Sequence, residues 1–165
     1  MTQNIVFDVN ETLLDLTALD PVFERLFGEA AVRREWFGQV LQSAMTLTLA
    51  GRYEDFSAVG RAALTMVAER RGQRLSRAGM QAVAAGMRQL PPHPEVAAAL
   101  ARLRTAGLPL AALTNSAPAV MHEQLAHAGL REYFDALHSV DSARALKPAR
   151  AVYDYAAAAL RCPPA

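Results

Sequence analysis

At 165 residues the chain is long enough to bury one sizeable core, and its length predicts a single domain with room for an inserted subdomain. Hydrophobic residues make up 52% of the sequence and charged residues 20%, a balance that excludes an intrinsically disordered protein. The formal net charge is +1 and the arginines are scattered, so the sequence indicates neither a nucleic-acid partner nor a membrane-surface partner.

Cysteine usage and the N-terminus predict a cytoplasmic protein. Cys162 is the one cysteine, which excludes an internal disulfide and a multi-cysteine metal site and fits a reducing compartment. The N-terminal residues lack the basic region of a signal peptide. The longest apolar-rich run, residues 108–113, is too short to span a bilayer, so we expect no membrane association.

The first predicted elements are a strand and a long helical segment. Residues 4–7 end in a continuous apolar run, which is typical of a strand buried on both faces, and a polar loop follows from Asp8. Between residues 21 and 90, apolar residues recur at helical spacing, and Ser76 is a candidate N-cap for the last helix. These residues predict a small helical bundle inserted after the first strand.

A proline-rich segment, residues 91–94, precedes a region where helices and strands alternate. We predict helices over residues 95–105 and 117–128, each followed by a glycine, and a last helix that opens at Pro148. Strands are predicted over residues 108–113 and 136–140. The alternation predicts an α/β fold with a parallel sheet and crossover helices.

Polar residues follow each predicted strand, where the carboxyl ends of a parallel sheet bring reactive groups together. They are Asp8, Asn10 and Thr12 after the first strand, Thr114 and Asn115 after the second, and Lys147 after the third. A carboxylate can attack carbon or phosphorus to form an ester, and a nearby lysine favours its ionised form. Each residue alone has a structural alternative, since the first cluster could cap a turn and the second a helix.

Three segments, in their order along the chain, resemble the motifs of the haloacid dehalogenase superfamily. Residues 5–15 resemble its first motif, a strand followed by Asp-x-x-x-Thr, and residues 110–115 resemble its second, a strand that ends in Thr-Asn. Residues 146–148, followed by Val152-Tyr153, resemble the third motif in the form found in type II (L-2-) haloacid dehalogenases. Residues 51–53 also resemble a cap segment of those enzymes.

This resemblance implies a Rossmann-like three-layer α/β/α core with a parallel sheet, residues 1–16 and 91–165, and an inserted helical cap subdomain, residues 17–90. It implies that Asp8 is the nucleophile and Lys147 its charge partner. It also implies a set of side chains that bind the substrate or halide: Asn10, Thr12, Thr114, Asn115 and Tyr153.

The implied reaction is hydrolytic dehalogenation of a short 2-haloalkanoic acid. Asp8 would displace the halide from the alpha carbon, and water would cleave the resulting aspartyl ester to give a 2-hydroxy acid. The resemblance implies no metal and no other cofactor. The expected partner is the small halogenated carboxylate. A homodimer, in which a second copy of the chain is the partner, is a possible assembly.

Two alternatives stay open. One is a Mg²⁺-dependent phosphatase on the same scaffold, although such enzymes usually carry a proton-donating Asp where this chain has Asn10, and a halide leaves without protonation. The other is a truncated, inactive module, because the family's fourth motif would follow residue 165 and its absence would leave the core incomplete at its C-terminus. An unpaired sheet edge would then favour self-association.

One departure from the family pattern concerns the cap. Phe37 stands where these dehalogenases carry an arginine that binds the halide and the carboxylate. Arg33, Arg34 and Arg52 are the nearby candidates to replace it. Since a phenyl ring offers no bidentate donor, the sequence predicts weak binding of the simplest 2-haloacids.

Overall fold

The computed structural model describes residues 4–162, which form a parallel sheet and seven α-helices. Residues 1–3 and 163–165, the two ends of the predicted core, lie outside the described residues. In the described chain, no helix is both long enough and apolar enough to cross a membrane.

The sheet contains the three predicted strands, β1 (Ile5–Phe7), β2 (Leu110–Thr114) and β3 (Ala136–Ser139). All three run parallel, in the order β1-β2-β3, so the predicted α/β fold with a parallel sheet is confirmed. Every residue of the central strand β2 is buried. Because the strands are parallel, the residues that follow each of them emerge at one edge of the sheet.

The burial predicted for β1 is wrong. Val6 is 42% exposed, and Ile5 and Phe7 are only half-buried. β1 lies at one edge of the described sheet and pairs with β2 alone, so an apolar run identified the strand but not its position. The predicted start of β2 also moves, to Leu110, since Pro109 has no N–H group to donate to a neighbouring strand.

Four helices lie between β1 and the rest of the core. They are α1 (Asp20–Phe27), α2 (Val32–Leu49), α3 (Phe56–Arg70) and α4 (Arg77–Arg88), and we call them the inserted helices. α2 packs against α3, and α1 packs against both α2 and α4. The Ser76 side chain accepts a hydrogen bond from the Gly79 N–H at 3.1 Å, which confirms the predicted N-cap of α4.

The remaining helices are α5 (Val96–Thr105), α6 (Pro118–His127) and α7 (Arg150–Ala159). Gly107 and Gly129 follow α5 and α6 with φ angles of 74° and 68°, the left-handed conformation predicted for glycine after a helix. α7 begins two residues after the predicted Pro148, because residues 146–149 form a turn in which the Ala149 N–H donates to the Leu146 carbonyl. The Lys147–Pro148 peptide bond in this turn is cis.

Two connecting segments join the inserted helices to the core, and they lie side by side. The Asp15 N–H donates to the Pro91 carbonyl at 2.8 Å, and the His93 N–H donates to the Leu13 carbonyl at 3.0 Å. The chain therefore leaves and re-enters the core at one place, just beyond β1. This arrangement holds the inserted helices over the carboxyl end of the sheet, where the polar residues lie.

Candidate active site

A cavity of about 420 Å³ lies at the carboxyl end of the sheet. The side chains that line it include all seven residues singled out from the sequence: Asp8, Asn10, Thr12, Thr114, Asn115, Lys147 and Tyr153. They come from the last residue of β2, from the segments that follow the three strands and from α7. The parallel topology thus brings together residues that lie far apart in the sequence, from Asp8 to Tyr153.

An ion pair between Asp8 and Lys147 lines this cavity. The Lys147 ammonium donates to Asp8 Oδ1 and also to the Leu113 carbonyl at 2.9 Å. The Lys147 side chain is 17% exposed, whereas the Asp8 side chain is 45% exposed and so stays accessible from the cavity. The ammonium holds one carboxylate oxygen in place, and a carboxylate that stays accessible in this way can attack an electrophilic carbon.

The second oxygen of Asp8 is held by a tight turn. Thr12 Oγ1 donates to Asp8 Oδ2 at 3.3 Å. The turn forms because the N–H groups of Leu13 and Leu14 both donate to the Val9 carbonyl, at 2.9 and 3.0 Å. The residue preceding Thr12 adopts a left-handed conformation, with a φ of 62°, which folds the chain back towards the strand end. Both carboxylate oxygens therefore have a fixed orientation.

The end of β2 supplies polar groups on the other side of the ion pair. Thr114 is buried, and its hydroxyl accepts a hydrogen bond from the Ser116 N–H at 3.2 Å. Asn115 Oδ1 accepts a hydrogen bond from the Lys147 N–H at 2.9 Å. The Asn115 Nδ2 group has no partner among residues 4–162, which leaves an amide donor for an anion in the cavity.

The inserted helices contribute an apolar wall. The lining residues from α2 and α3 are Phe37, Leu41, Met45 and Phe56. Tyr153, on α7, is 48% exposed and lines the cavity rather than packing in the core. In the described part of the chain, Lys147 is the one cation that lines this cavity, and it is also the single lysine of the sequence.

None of the three arginines considered as replacements for the expected cap arginine lines the cavity. Arg33 is buried, and its guanidinium binds Asp20 Oδ1 at 2.5 Å and Glu11 Oε1 at 3.5 Å. Arg34 is exposed, and the exposed Arg52 side chain lies 3.8 Å from Glu54. The sequence pattern did not indicate that Arg33 is already paired, because its two carboxylate partners, Asp20 and Glu11, lie outside its own helix.

A buried amide network behind the cavity was not predicted from the sequence. Gln124, on α6, is fully buried, and its Nε2 donates to Asn10 Oδ1 at 3.1 Å and to the Met87 carbonyl at 2.7 Å. Asn10 Nδ2 in turn donates to Ser116 Oγ at 3.2 Å. One feature of the sequence could have indicated that Gln124 is buried: it shares a helix face with the apolar residues Met121 and Leu125.

A second set of contacts joins the inserted helices to the segment that leads to Lys147. The Tyr53 hydroxyl donates to Asp141, and the Arg144 guanidinium lies 4.5 Å from the centre of the Tyr53 ring. Burial, together with the Asp141 carboxylate, raises the pKa of the Tyr53 phenol above its ordinary value, so the hydroxyl remains a donor at neutral pH. Thr48 Oγ1 also donates to the Leu146 carbonyl at 3.1 Å.

The oxygen atoms of the side chains that line the cavity are poorly arranged to bind a divalent metal. One Asp8 oxygen binds the Lys147 ammonium, and the Asn10 amide oxygen accepts a hydrogen bond from Gln124. Among residues 4–162 there is no group of three or more His, Cys, Asp or Glu side chains that could bind one metal ion.

Comparison with known proteins agrees with this arrangement. A sequence model of the haloacid dehalogenase-like hydrolases matches residues 2–165. An (S)-2-haloacid dehalogenase of Xanthobacter autotrophicus is 34% identical over 151 residues, which cover 90% of this chain and 58% of that enzyme. An (S)-2-haloacid dehalogenase of Pseudomonas putida is 29% identical over 164 residues, which cover 98% of this chain and 73% of the relative.

The fold matches solved structures as well. The structure of the L-2-haloacid dehalogenase from X. autotrophicus with chloropropionic acid covalently bound superposes with a TM-score of 0.91 and 32% identity. The match covers 100% of this chain and 67% of that chain. The chain thus spans between about three fifths and three quarters of the length of these relatives.

Proposed function

Because the chain belongs to the haloacid dehalogenase-like hydrolase family, we propose that it removes the halogen from short 2-halocarboxylates and releases 2-hydroxy acids. One observation carries the proposal: the Asp8 carboxylate is held by Lys147 and Thr12 yet remains accessible from a cavity with one apolar wall. The names of the relatives, (S)-2-haloacid dehalogenases, support the same substrate class.

In the proposed reaction an Asp8 oxygen attacks the alpha carbon from the side opposite the halogen. A carbon–oxygen bond forms, the carbon–halogen bond breaks, and the halide leaves with the electron pair. Water then attacks the carbonyl carbon of the aspartyl ester and the ester carbon–oxygen bond breaks. This restores the Asp8 carboxylate and releases the 2-hydroxy acid, and one proton passes to the solvent. Backside attack inverts the alpha carbon, so an (S)-2-chloro acid gives an (R)-2-hydroxy acid.

The surrounding groups have separate proposed roles. Lys147 is the charge partner that holds one Asp8 oxygen, and Thr12 orients the other. The amide donors of Asn10 and Asn115, with the Thr114 hydroxyl, bind the departing halide or the substrate carboxylate. Residues 17–90, which contain the inserted helices, act as a cap. The apolar side chains of this cap, together with Tyr153 from α7, exclude water from the reacting carbon.

We propose that no metal or organic cofactor takes part, since the Asp8 oxygens and the Asn10 amide have other partners. The same residues count against the phosphatase alternative. A phosphate ester needs a proton for its leaving alcohol, and the Asn10 amide cannot supply one. A halide needs none.

The first test is substrate choice. The protein should release chloride from (S)-2-chloropropionate and form (R)-lactate, whereas the (R) substrate should react at least about a hundredfold more slowly because its halogen cannot lie opposite Asp8. Halide electrode measurements and chiral chromatography of the product would check both results. Phosphate release from an aryl phosphate in the presence of Mg²⁺, without halide release from any 2-haloacid, would contradict the proposal.

A second test concerns the apolar residue at the expected arginine position. Phe37→Arg should lower the KM for (S)-2-chloropropionate by about tenfold, because a guanidinium can bind the substrate carboxylate through two hydrogen bonds. Steady-state kinetics would measure this, with Phe37→Met as the control that changes shape without adding charge. An unchanged KM in the arginine variant would show that the carboxylate lies away from α2.

A further inference from the structure

We propose that Gln124 is a positioning residue that orients the Asn10 amide, so that its NH₂ group rather than its oxygen is presented to the cavity. This inference rests on the proposed function, in which the Asn10 amide donates a hydrogen bond to the halide or to the substrate carboxylate. Gln124 is fully buried on α6 and lies 114 positions from Asn10. It does not line the cavity itself, so it would act through Asn10.

The orientation of the Gln124 amide is fixed by a backbone carbonyl. Its Nε2 donates to the Met87 carbonyl at 2.7 Å, and a carbonyl oxygen can only accept. Reversing the amide would place Oε1 against that oxygen and lose the bond. The Gln124 Oε1 atom itself is buried without a hydrogen-bond partner in the described chain, so no competing bond opposes the observed orientation.

The second Gln124 hydrogen then determines the orientation of Asn10. It points to Asn10 Oδ1 at 3.1 Å, so that position must hold an acceptor. With the oxygen engaged there, Asn10 Nδ2 donates one hydrogen to Ser116 Oγ at 3.2 Å. Its other hydrogen stays available to an anion in the cavity that Asn10 lines. A reversed Asn10 would instead direct oxygen lone pairs at the halide or carboxylate and repel it.

The same amide also joins the inserted helices to the core. Met87 belongs to the last turn of α4, whereas Gln124 belongs to α6, and the two helices pack against each other. If α4 moves away from α6, Gln124 loses the carbonyl that fixes its own orientation. The donor arrangement of Asn10 is therefore tied to the position of the inserted helices.

A double-mutant cycle tests this coupling. Gln124→Met, which keeps the volume but removes the donor, should lower kcat/KM for (S)-2-chloropropionate by about ten- to a hundredfold in the parent protein. In an Asn10→Ala background, the same change should cost less than about threefold, because the residue it positions is already gone. Equal losses in both backgrounds would overturn the inference.

The matched control is a second buried glutamine. Gln39, on α2, bonds Ser43 at 3.1 Å and Arg70 at 2.9 Å, and it does not line the cavity of the candidate site. Gln39→Met should lower the thermal stability but leave kcat/KM unchanged. This comparison separates the loss of a buried amide as such from the loss of the amide that faces Asn10.

The pH dependence of kcat/KM in Gln124→Glu distinguishes a positioning role from a purely structural role, which would not change it. An ionised glutamate would face two carbonyl oxygens and repel them, whereas a protonated glutamate can donate to one of them. Its kcat/KM relative to the parent protein should therefore rise as the pH falls from about 8 to about 5. A ratio that stays constant over this range would overturn the inference.

Failure of the proposed function would look different. If Asn10→Ala leaves halide release unchanged, the anion-binding role of Asn10 fails, whatever Gln124 does. The positioning itself can be read without activity, from hydrogen exchange of the Asn10 side-chain amide in ¹⁵N NMR spectra. The Asn10 hydrogen that donates to Ser116 should exchange slowly in the parent protein and at least about tenfold faster in Gln124→Met. Equal exchange in both proteins would overturn the positioning inference.

Discussion

Replacing Asp8 with asparagine should abolish halide release, with a loss of at least about 10⁴-fold in kcat/KM. A neutral amide oxygen is a far weaker nucleophile than a carboxylate, and it cannot form an ester that water would return to the original side chain. Asparagine has nearly the same shape, and the turn that follows it depends on backbone hydrogen bonds to the Val9 carbonyl. The variant should therefore fold normally.

Asp15→Asn is the matched control for this experiment. Asp15 lies in the same loop but caps a 3₁₀ turn, where it accepts a hydrogen bond from the Thr17 N–H at 2.8 Å, and it does not line the cavity. Asparagine caps nearly as well as aspartate, so activity should persist. Substantial halide release by Asp8→Asn would remove Asp8 from the mechanism.

A single turnover in ¹⁸O-labelled water tests the ester directly. If water attacks the ester carbonyl, the hydroxyl oxygen of the first product comes from Asp8, and the label stays on the protein. Mass spectrometry of the peptide that contains Asp8 would detect the label. A labelled 2-hydroxy acid in the first turnover would instead indicate that water attacks the substrate carbon.

Lys147→Ala should lower kcat by about 10²- to 10³-fold while leaving the fold intact. Without the ammonium, the Asp8 carboxylate loses its charge partner, and Oδ1 is no longer held in place for attack. The Leu113 carbonyl loses a hydrogen bond as well, so a small loss of stability is also expected. Steady-state kinetics and thermal unfolding would measure the two effects separately.

Arg150→Ala is the control for the removal of a cation. Arg150 begins α7 three residues after Lys147, is highly exposed, and lies 3.4 Å from the Asp154 carboxylate. Surface ion pairs of this kind contribute little to stability, so this variant should behave like the parent protein. A Lys147→Ala variant with near-normal kcat would show that Asp8 needs no charge partner.

Much of the cavity could be predicted because a parallel sheet gathers the ends of its strands. Asp8 and Lys147 follow strands and Thr114 ends one, and the order of the strands along the chain was enough to bring them together. Local spacing also identified the inserted helices and the Ser76 cap. These features depend on residues that are close in sequence or on a general rule of topology.

The features that were missed depend on how separate helices pack. Gln124 meets Asn10 only because α6 lies behind the first loop, and nothing in the spacing of either segment specifies that contact. The partners of Arg33 come from α1 and from the loop after β1, so a run of basic residues on α2 could not indicate them. Val6 is exposed because of the position of β1 in the sheet, which an apolar run does not encode.

The placement of Lys147 also makes the protein suited to selective amine labelling. Lys147 is the single lysine of the sequence, so a reagent specific for primary amines would modify one side chain of this chain, besides its terminal amine. Reductive methylation with ¹³C-formaldehyde would place an isotopic reporter next to Asp8. Its chemical shift would follow the charge of that carboxylate through formation and hydrolysis of the ester.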